Sequence, residues 1–300
     1  MQTLSKPSWI KSRIPAGPEY MRVRNILRRN LLHTVCEEAL CPNLAECWGG
    51  GTATIMLLGD ICTRGCRFCA VKTGHPGGVV EMEEPELVAR AVSEMGLKYV
   101  VLTSVCRDDL EDGGAAHFAE TVRAIKRYDG GILVETLIPD FNGSRDALAK
   151  VVESRPDVIA HNVETVPRLT PLVRDRRASF QQSVDVLRMV KEMDVKIYTK
   201  SSIMLGLGER YDEVLDTLRV LRSASVDIVT LGQYLRPTLR HLPVVEYVHP
   251  EVFEKLRNDA LEMGFLYVAS GPLVRSSYRA GEHFMMALAA RRKPGSQGVS

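Results

Sequence analysis

The 300-residue chain is predicted to be an α/β protein, a partial (β/α)6 barrel of the TIM type with N- and C-terminal extensions. Three observations predict this. Short apolar runs rich in β-branched residues recur from residue 53 onward, and amphipathic helix-like stretches separate them. Continuous apolar strands alternating with helices argue for a parallel sheet covered by helices. Finally, six such units fall short of the eight of a complete barrel.

In chain order, residues 1–50 show no strand–helix alternation and form the N-terminal extension. Within it, Arg22–Asn30 is basic and helical in pattern and leads into a first cysteine-rich loop. Residues 51–237 carry the barrel. Its strands are predicted at Thr54–Leu58, Tyr99–Thr103, Ile132–Leu137, Val158–Asn162, Lys196–Ile203 and Asp227–Leu231. Helices are predicted between them at Glu84–Met95, Ala115–Tyr128, Asp146–Glu153, Phe180–Met193 and Tyr211–Ser223. Residues 238–300 form the C-terminal extension, with a strand at Leu266–Ala269 and a helix over Gly281–Arg291. There is no short-period repeat and no low-complexity linker.

A net charge of +2 is too small for a dominant nucleic-acid-binding field. No apolar run approaches the length that crosses a bilayer. The N-terminus lacks a secretory apolar stretch, and little chain precedes Lys6-Pro-Ser-Trp-Ile10 for a transit peptide. The expectation is a cytoplasmic monomer with neither nucleic acid nor membrane as partner.

The chemistry is concentrated in the cysteines. Cys62, Cys66 and Cys69 form C-x3-C-x2-C with Phe68 just before the last. Thiolate is the ligand that iron–sulfur clusters select, and a cube has four irons. Three thiolates leave one iron open to a substrate or cofactor. A zinc site would close with a fourth Cys or His at short spacing, and this loop has none. Cys36, Cys41 and Cys47 form a second triplet, C-x4-C-x5-C, so six of seven cysteines fall between Cys36 and Cys69. A disulfide framework does not suit a long chain without a secretory leader, with cysteines in threes. The second triplet reads as another cluster site, whose fourth ligand comes from elsewhere in the chain.

Polar residues recur where a parallel barrel places its active site, at the C-terminal ends of the strands. Thr103 and Ser104 end the second strand, and Glu135 lies near the end of the third. Asn162 and Glu164 follow the fourth, Lys200 and Ser201 lie on the fifth, and Gln233 and Tyr234 follow the sixth. His33, His117 and His161 lack metal-spaced partners and read as structural.

The C-x3-C-x2-C loop resembles the signature of the radical S-adenosylmethionine (SAM) superfamily. The pair of triplets is more specific. With Glu37-Glu-Ala-Leu-Cys-Pro-Asn-Leu44 and Arg275-Ser-Ser-Tyr278, it resembles the lipoyl synthase family over nearly the whole chain. Val101–Gly114, Glu135–Phe141, Met204–Glu209 and Leu231–Pro237 extend the likeness.

The resemblance implies a sulfurtransferase with two [4Fe–4S] clusters, one on Cys62, Cys66 and Cys69, the other on Cys36, Cys41 and Cys47. It implies that Ser277, or alternatively Ser276, caps the second cluster, with Arg275 offsetting charge. SAM would bind the open iron and contact Phe68, Thr103, Ser104, Glu135, Asn162 and Lys200. A buried lysine needs a partner, and a SAM carboxylate or a cluster-side acid is expected for Lys200. Gly206 and Gly208 are expected to let backbone approach the SAM ribose. Two SAM molecules would be consumed per lipoyl group, with sulfur entering at C6 and C8 of a protein-bound octanoyl-lysine. The auxiliary cluster would supply that sulfur, so no side chain acts as acid or base.

The implied partners are octanoylated lipoyl domains of 2-oxoacid dehydrogenases or the glycine-cleavage H protein. An electron donor such as ferredoxin or flavodoxin is also implied. Arg22, Arg24, Arg28 and Arg29 form either a docking patch for the acidic carrier or a solvated helix face. Cys106 departs from the family, in which aspartate is expected at that position; a packed thiol and an approach to the first cluster are both open. Other radical SAM enzymes with an auxiliary cluster, and non-catalytic iron–sulfur carriers, are the competing classes.

Overall fold

The computed structural model describes residues 5–11, 14, 16–49, 54–282, 284 and 288. Seven parallel strands follow one another in sheet order: β1 (Thr54–Leu57), β2 (Tyr99–Ser104), β3 (Leu133–Leu137), β4 (Val158–Ala160), β5 (Tyr198–Leu205), β6 (Ile228–Gln233) and β7 (Tyr267–Gly271). An antiparallel pair of residues, His33–Thr34, lies on the outer edge of β1. The sheet order is linear, so the barrel is incomplete.

Its helices are α1 (Pro18–Arg29), α2 (Glu84–Met95), α3 (Ala115–Tyr128), α4 (Arg145–Glu153), α5 (Phe180–Met193), α6 (Tyr211–Ser223) and α7 (Pro250–Glu262). The apolar spacing explains them. In α3, Phe118, Val122 and Ile125 recur on the 3.6-residue period and are fully buried. Each such side chain contributes about 1.5–3 kcal/mol of burial. α2 stops at Gly96, whose φ of 66° supplies the left-handed cap.

The six predicted barrel strands are all present, within a residue or two at their ends. The C-terminal region differs from the expectation. α7 was not predicted, and it carries the chain back so that the closing strand joins β6 as a seventh parallel strand. Its signals are in the sequence. His249 caps the first turn, Pro250 opens the helix, and Phe253, Leu256 and Ala260 form its buried stripe. The barrel sheet therefore reaches past residue 237. Most of the helix expected over Gly281–Arg291 lies outside the described residues. Among the described residues, no helix is long and apolar enough to cross a membrane.

One polar cluster fills the barrel interior toward its N-terminal end. Lys200 Nζ donates to both Glu135 carboxylate oxygens at 2.7 and 3.0 Å, and the Tyr99 hydroxyl donates to the same carboxylate at 2.6 Å. Glu135 and Lys200 are each 1% exposed. Burial, followed by the Glu135 charge, pushes the Tyr99 phenol well above its usual range.

Candidate functional site

The first cysteine loop leaves β1 through Leu58 and Gly59, both at positive φ. Ile61–Cys62 then pairs in parallel with Lys72–Thr73, and the Gly74 amide closes the loop on the Cys62 carbonyl at 2.9 Å. Arg64 pins this loop to the ends of β2 and β3. Its buried guanidinium reaches Asp108 at 2.8 Å, Asp140 at 2.7 Å and Asn142 at 2.7 Å. Burial works against it, yet the Arg64 guanidinium holds the Asp108 carboxyl down to about 2.

Backbone amides aim at the sulfurs. Arg64 and Cys106 donate N–H to Cys62 Sγ at 3.4 and 3.3 Å, and Asp175 donates to Cys66 Sγ at 3.4 Å. Such donors stabilise thiolate. The Cys62 thiol is pulled down to about 6, first by a hydrogen bond from the Cys106 thiol, with burial opposing. The same contact and burial push Cys106 well up. Burial raises Cys66 and takes Cys69 to about 12. Cys106 is thus a neighbour of the first triplet, against the sulfur of Cys62.

The second triplet is built on two short helices. Thr34 caps Val35–Glu38, which carries Cys36; Leu40 at φ 51° then turns the chain so that the Cys41 amide reaches the Cys36 carbonyl at 3.0 Å. Cys47 sits on Leu44–Gly49, beside Trp48, which is fully buried and stacks on Tyr20 of α1. Burial raises Cys41, and takes Cys36 to about 11 and Cys47 to about 12.

The C-terminal motif lies against this triplet across some 230 residues of sequence. Asn43 Nδ2 donates to the Leu273 carbonyl at 2.6 Å, and the Tyr278 hydroxyl donates to Glu46 at 2.8 Å. Arg279 adds an ion pair to Glu46 at 3.2 Å. The crossing requires Gly232 at the end of β6, because a Cβ there would lie 2.0 Å from the Val274 carbonyl oxygen. Burial lowers the Arg275 guanidinium, and the charge of Cys41 beside it acts the other way.

One cavity of about 700 Å³ joins the two triplets. All six cysteines, Ser276, Ser277 and Arg275 line it. Phe68, Thr103, Ser104 and Asn162 line it as well. Thr103 and Ser104 spend their hydroxyls on the carbonyls of Leu137 and Val105. Asn162 Oδ1 is buried without a hydrogen-bond partner, an acceptor the cavity leaves open.

Several expectations need correction. Glu135 and Lys200 do not line the cavity; each is the other's buried partner. Gly206 and Gly208 do not line it either. The space beside Gly206 is taken by the Gln233 side chain and the Glu246 carbonyl, which only a glycine at φ +103° accommodates. The basic face of α1 is exposed, Arg24 included, and three of its arginines form surface ion pairs. Arg22 pairs with Glu19, Arg28 with Glu37, and Arg29 with Glu94. Although no sequence spacing links them, His33, Glu38 and Asp60 cluster in space, with Lys72 already paired to Asp60. His117 bonds Glu84 at 2.6 Å. His161 lines the cavity but is held between the Ile138 carbonyl and the Ser183 hydroxyl, and burial lowers it to about 4.

Glu164, expected at the end of the fourth strand, and Arg174, which was not, also line the cavity. Glu164, at φ 68°, is raised by burial and lowered by Arg174. Arg174 is 8% exposed and donates to Ser183 at 2.7 Å. The sign of Glu164 in the sequence is its place after strand four; Arg174 gives none, because it lies in the next loop and reaches back.

The chain is similar to known proteins along nearly its whole length. The model of the radical SAM superfamily matches residues 56–221. The model described as the N-terminal domain of lipoyl synthase of the radical SAM family matches residues 1–41. The mitochondrial lipoyl synthase of Arthroderma otae is 60% identical over 284 residues, covering 93% of this chain and 69% of its own. Lipoyl synthases of Thermus thermophilus (57% identical, 94% and 88% covered) and Anaeromyxobacter sp. (56%, 98% and 99%) are similar along nearly their full length. Among solved structures, methylornithine synthase shares the fold at TM-score 0.56 and 17% identity, covering 84% of this chain and 75% of its own. The FeFe-hydrogenase maturase HydG from Carboxydothermus hydrogenoformans does so at 0.53 and 17%, covering 69% and 50%. With two cysteine triplets and the Arg-Ser-Ser-Tyr segment facing one cavity, and with these relatives, the chain belongs to the lipoyl synthase family of the radical SAM superfamily.

Proposed function

We propose that this enzyme inserts two sulfur atoms, at C6 and C8, into an octanoyl chain carried on a lysine of an acidic carrier protein. Cys62, Cys66 and Cys69 would hold the [4Fe–4S] cluster that binds SAM, and Cys36, Cys41, Cys47 and Ser277 the auxiliary one. The observation that carries this reading is the single cavity onto which both triplets and Ser277 open. The donor set fits two thiolate-bound clusters, and the open Asn162 Oδ1 fits a polar ligand beside the first. When bound, the clusters and SAM supply one-electron chemistry and sulfur for C–H bonds that acid–base catalysis cannot break.

The chain's own residues place and shield these groups. The amides of Arg64, Cys106 and Asp175 stabilise charge on Cys62 and Cys66. Phe68 offers an aromatic face for the adenine, and Thr103, Ser104 and Asn162 polar edges for the rest of SAM. Serine oxygen is a hard and weak ligand for iron beside thiolate. At Ser277 that weakness suits a cluster whose atoms must leave, and Arg275 beside Cys41 offsets local charge. The carrier would be a lipoyl domain of a 2-oxoacid dehydrogenase or the glycine-cleavage H protein.

Anaerobic reconstitution tests the assignment. About eight irons per chain are expected, two cubes of four. Cys62/Cys66/Cys69→Ala should halve this and abolish SAM cleavage. Cys36/Cys41/Cys47→Ala should also halve it, yet keep 5′-deoxyadenosine formation and lose the lipoyl product. Ser277→Ala should retain iron and lose sulfur transfer. Lipoyl product from the second triple variant would overturn the sacrificial role of the auxiliary site.

A further inference from the structure

Two segments pack directly on the Cys62–Cys69 loop. The Leu242 amide donates to the Arg67 carbonyl at 3.1 Å, and His241 Nε2 meets the Cys69 carbonyl at 2.9 Å. From the other side, the Arg67 amide donates to the Val173 carbonyl at 2.9 Å, and the Gly65 amide to Asp175 at 2.9 Å. Residues 65–69, 172–178 and 236–242 together hold six arginines (67, 174, 176, 177, 236 and 240) and one carboxylate, Asp175. The whole chain carries only +2, so this concentration is local.

Arg174 is buried, and Arg177 is paired with Asp175. Arg67, Arg176 and Arg240 remain exposed, and Arg236 half-exposed, with no carboxylate partner among the described residues. Leu239 and Leu172, 77% and 46% exposed, sit among them. Exposed arginines around apolar side chains are the composition of a docking surface for an acidic protein.

We propose that this arginine arc receives the acidic one-electron carrier, of the flavodoxin or ferredoxin class, that reduces the first cluster. The proposal rests on the reading that Cys62, Cys66 and Cys69 hold that cluster. Placement favours an electron donor over the octanoyl carrier. The arc is hydrogen-bonded to the backbone of the cluster loop itself, so a partner seated there brings its redox group near the cysteines. A tethered octanoyl chain must instead enter the cavity, whose exposed lining residues are Lys6, Leu40 and Thr73. In the transfer the donor loses one electron and the iron–sulfur site gains it; no bond forms or breaks.

The test uses the reconstituted full chain and a recombinant flavodoxin. Arg67/Arg176/Arg240→Glu should slow reoxidation of reduced flavodoxin at least about tenfold at low ionic strength and flatten its salt dependence. Binding of oxidised flavodoxin to the metal-free variant should weaken in parallel. Dithionite should still reduce the cluster to the wild-type electron paramagnetic resonance signal. Arg176/Arg240→Glu, which spares the Arg67 contact to the Leu172 carbonyl, should show a smaller loss in the same direction. An unchanged flavodoxin rate overturns the proposal. So does a higher KM for an octanoylated carrier under dithionite with the flavodoxin rate intact, because the surface is then the carrier's. A wild-type chain with no dithionite-reducible cluster defeats the underlying reading, and the proposal with it.

Discussion

Replacing Lys200 by Met separates two readings of a buried lysine. Its ammonium donates twice to Glu135, at 2.7 and 3.0 Å, in a site 1% exposed. Removing it leaves a carboxylate with only the Tyr99 hydroxyl for company. Breaking one partner of a buried ion pair costs about 3–5 kcal/mol. At about 2 °C per kcal/mol for a chain of this size, Tm should fall by about 6–10 °C. Because Lys200 does not line the cavity, SAM cleavage per folded molecule should stay within about twofold of wild type.

The assay pairs thermal unfolding of the metal-free protein with dithionite-driven 5′-deoxyadenosine formation after reconstitution. Removing the whole cluster, as Tyr99→Phe/Glu135→Met/Lys200→Met, should recover most of the lost stability, because apolar replacement of a buried pair is often neutral. A Lys200→Met protein of normal Tm that no longer engages SAM would refute the reasoning and return Lys200 to the cofactor.

Two further outcomes follow from titrating groups. In the reduced, metal-free protein, Cys62 should alkylate with a midpoint at about pH 6, ahead of the other five triplet cysteines, and Cys106→Ala should raise that midpoint; mass spectrometry of iodoacetamide adducts across pH checks both, and an unmoved midpoint would disprove the thiol–thiol contact. His161 is lowered to about 4 from 6.5, so it stays neutral in the fold while the unfolded chain takes up a proton. Its contribution is therefore complete above pH 6.5 and lost as pH falls through about 4, a total of about 3 kcal/mol. Urea unfolding between pH 7 and 4.5 should show a shallower pH slope for His161→Gln than for wild type, and equal slopes would count against a buried neutral imidazole.

Local signals in the chain were sufficient for the barrel strands and the five helices between them. Helix α3 is legible because Phe118, Val122 and Ile125 repeat with its own period. The cysteine triplets are legible because each lies within one short stretch of the chain. What the sequence hides is direction and distance. Glu135 near the end of its strand and Lys200 on the next strand but one look like residues that face a ligand, but each is 1% exposed and Lys200 Nζ donates to both Glu135 carboxylate oxygens. Period 2 tells which face of a strand a residue occupies, not how far along the barrel axis it sits. Arg174 and Cys106 fail differently: each acts through a loop that returns to a cysteine or a strand end it does not adjoin in sequence.

The same argument explains why Arg275–Tyr278 is legible only through family resemblance. Nothing in a run of Arg-Ser-Ser-Tyr specifies a metal site. Its meaning comes from the crossing at Gly232, from Asn43 bonding Leu273, and from Tyr278 bonding Glu46, contacts between the two ends of the chain. Those contacts tie the proposed auxiliary site to both ends of the chain. Cys36, Cys41 and Cys47 lie within one local stretch, whereas Ser277, the proposed fourth ligand, follows β7, which pairs with β6. On the proposed reading, a chain in which the crossing is lost keeps the three thiols and lacks the serine ligand. A variant that blocks the crossing, Gly232→Ala, should therefore retain the first site's SAM cleavage better than the sulfur transfer that needs both ends of the chain together.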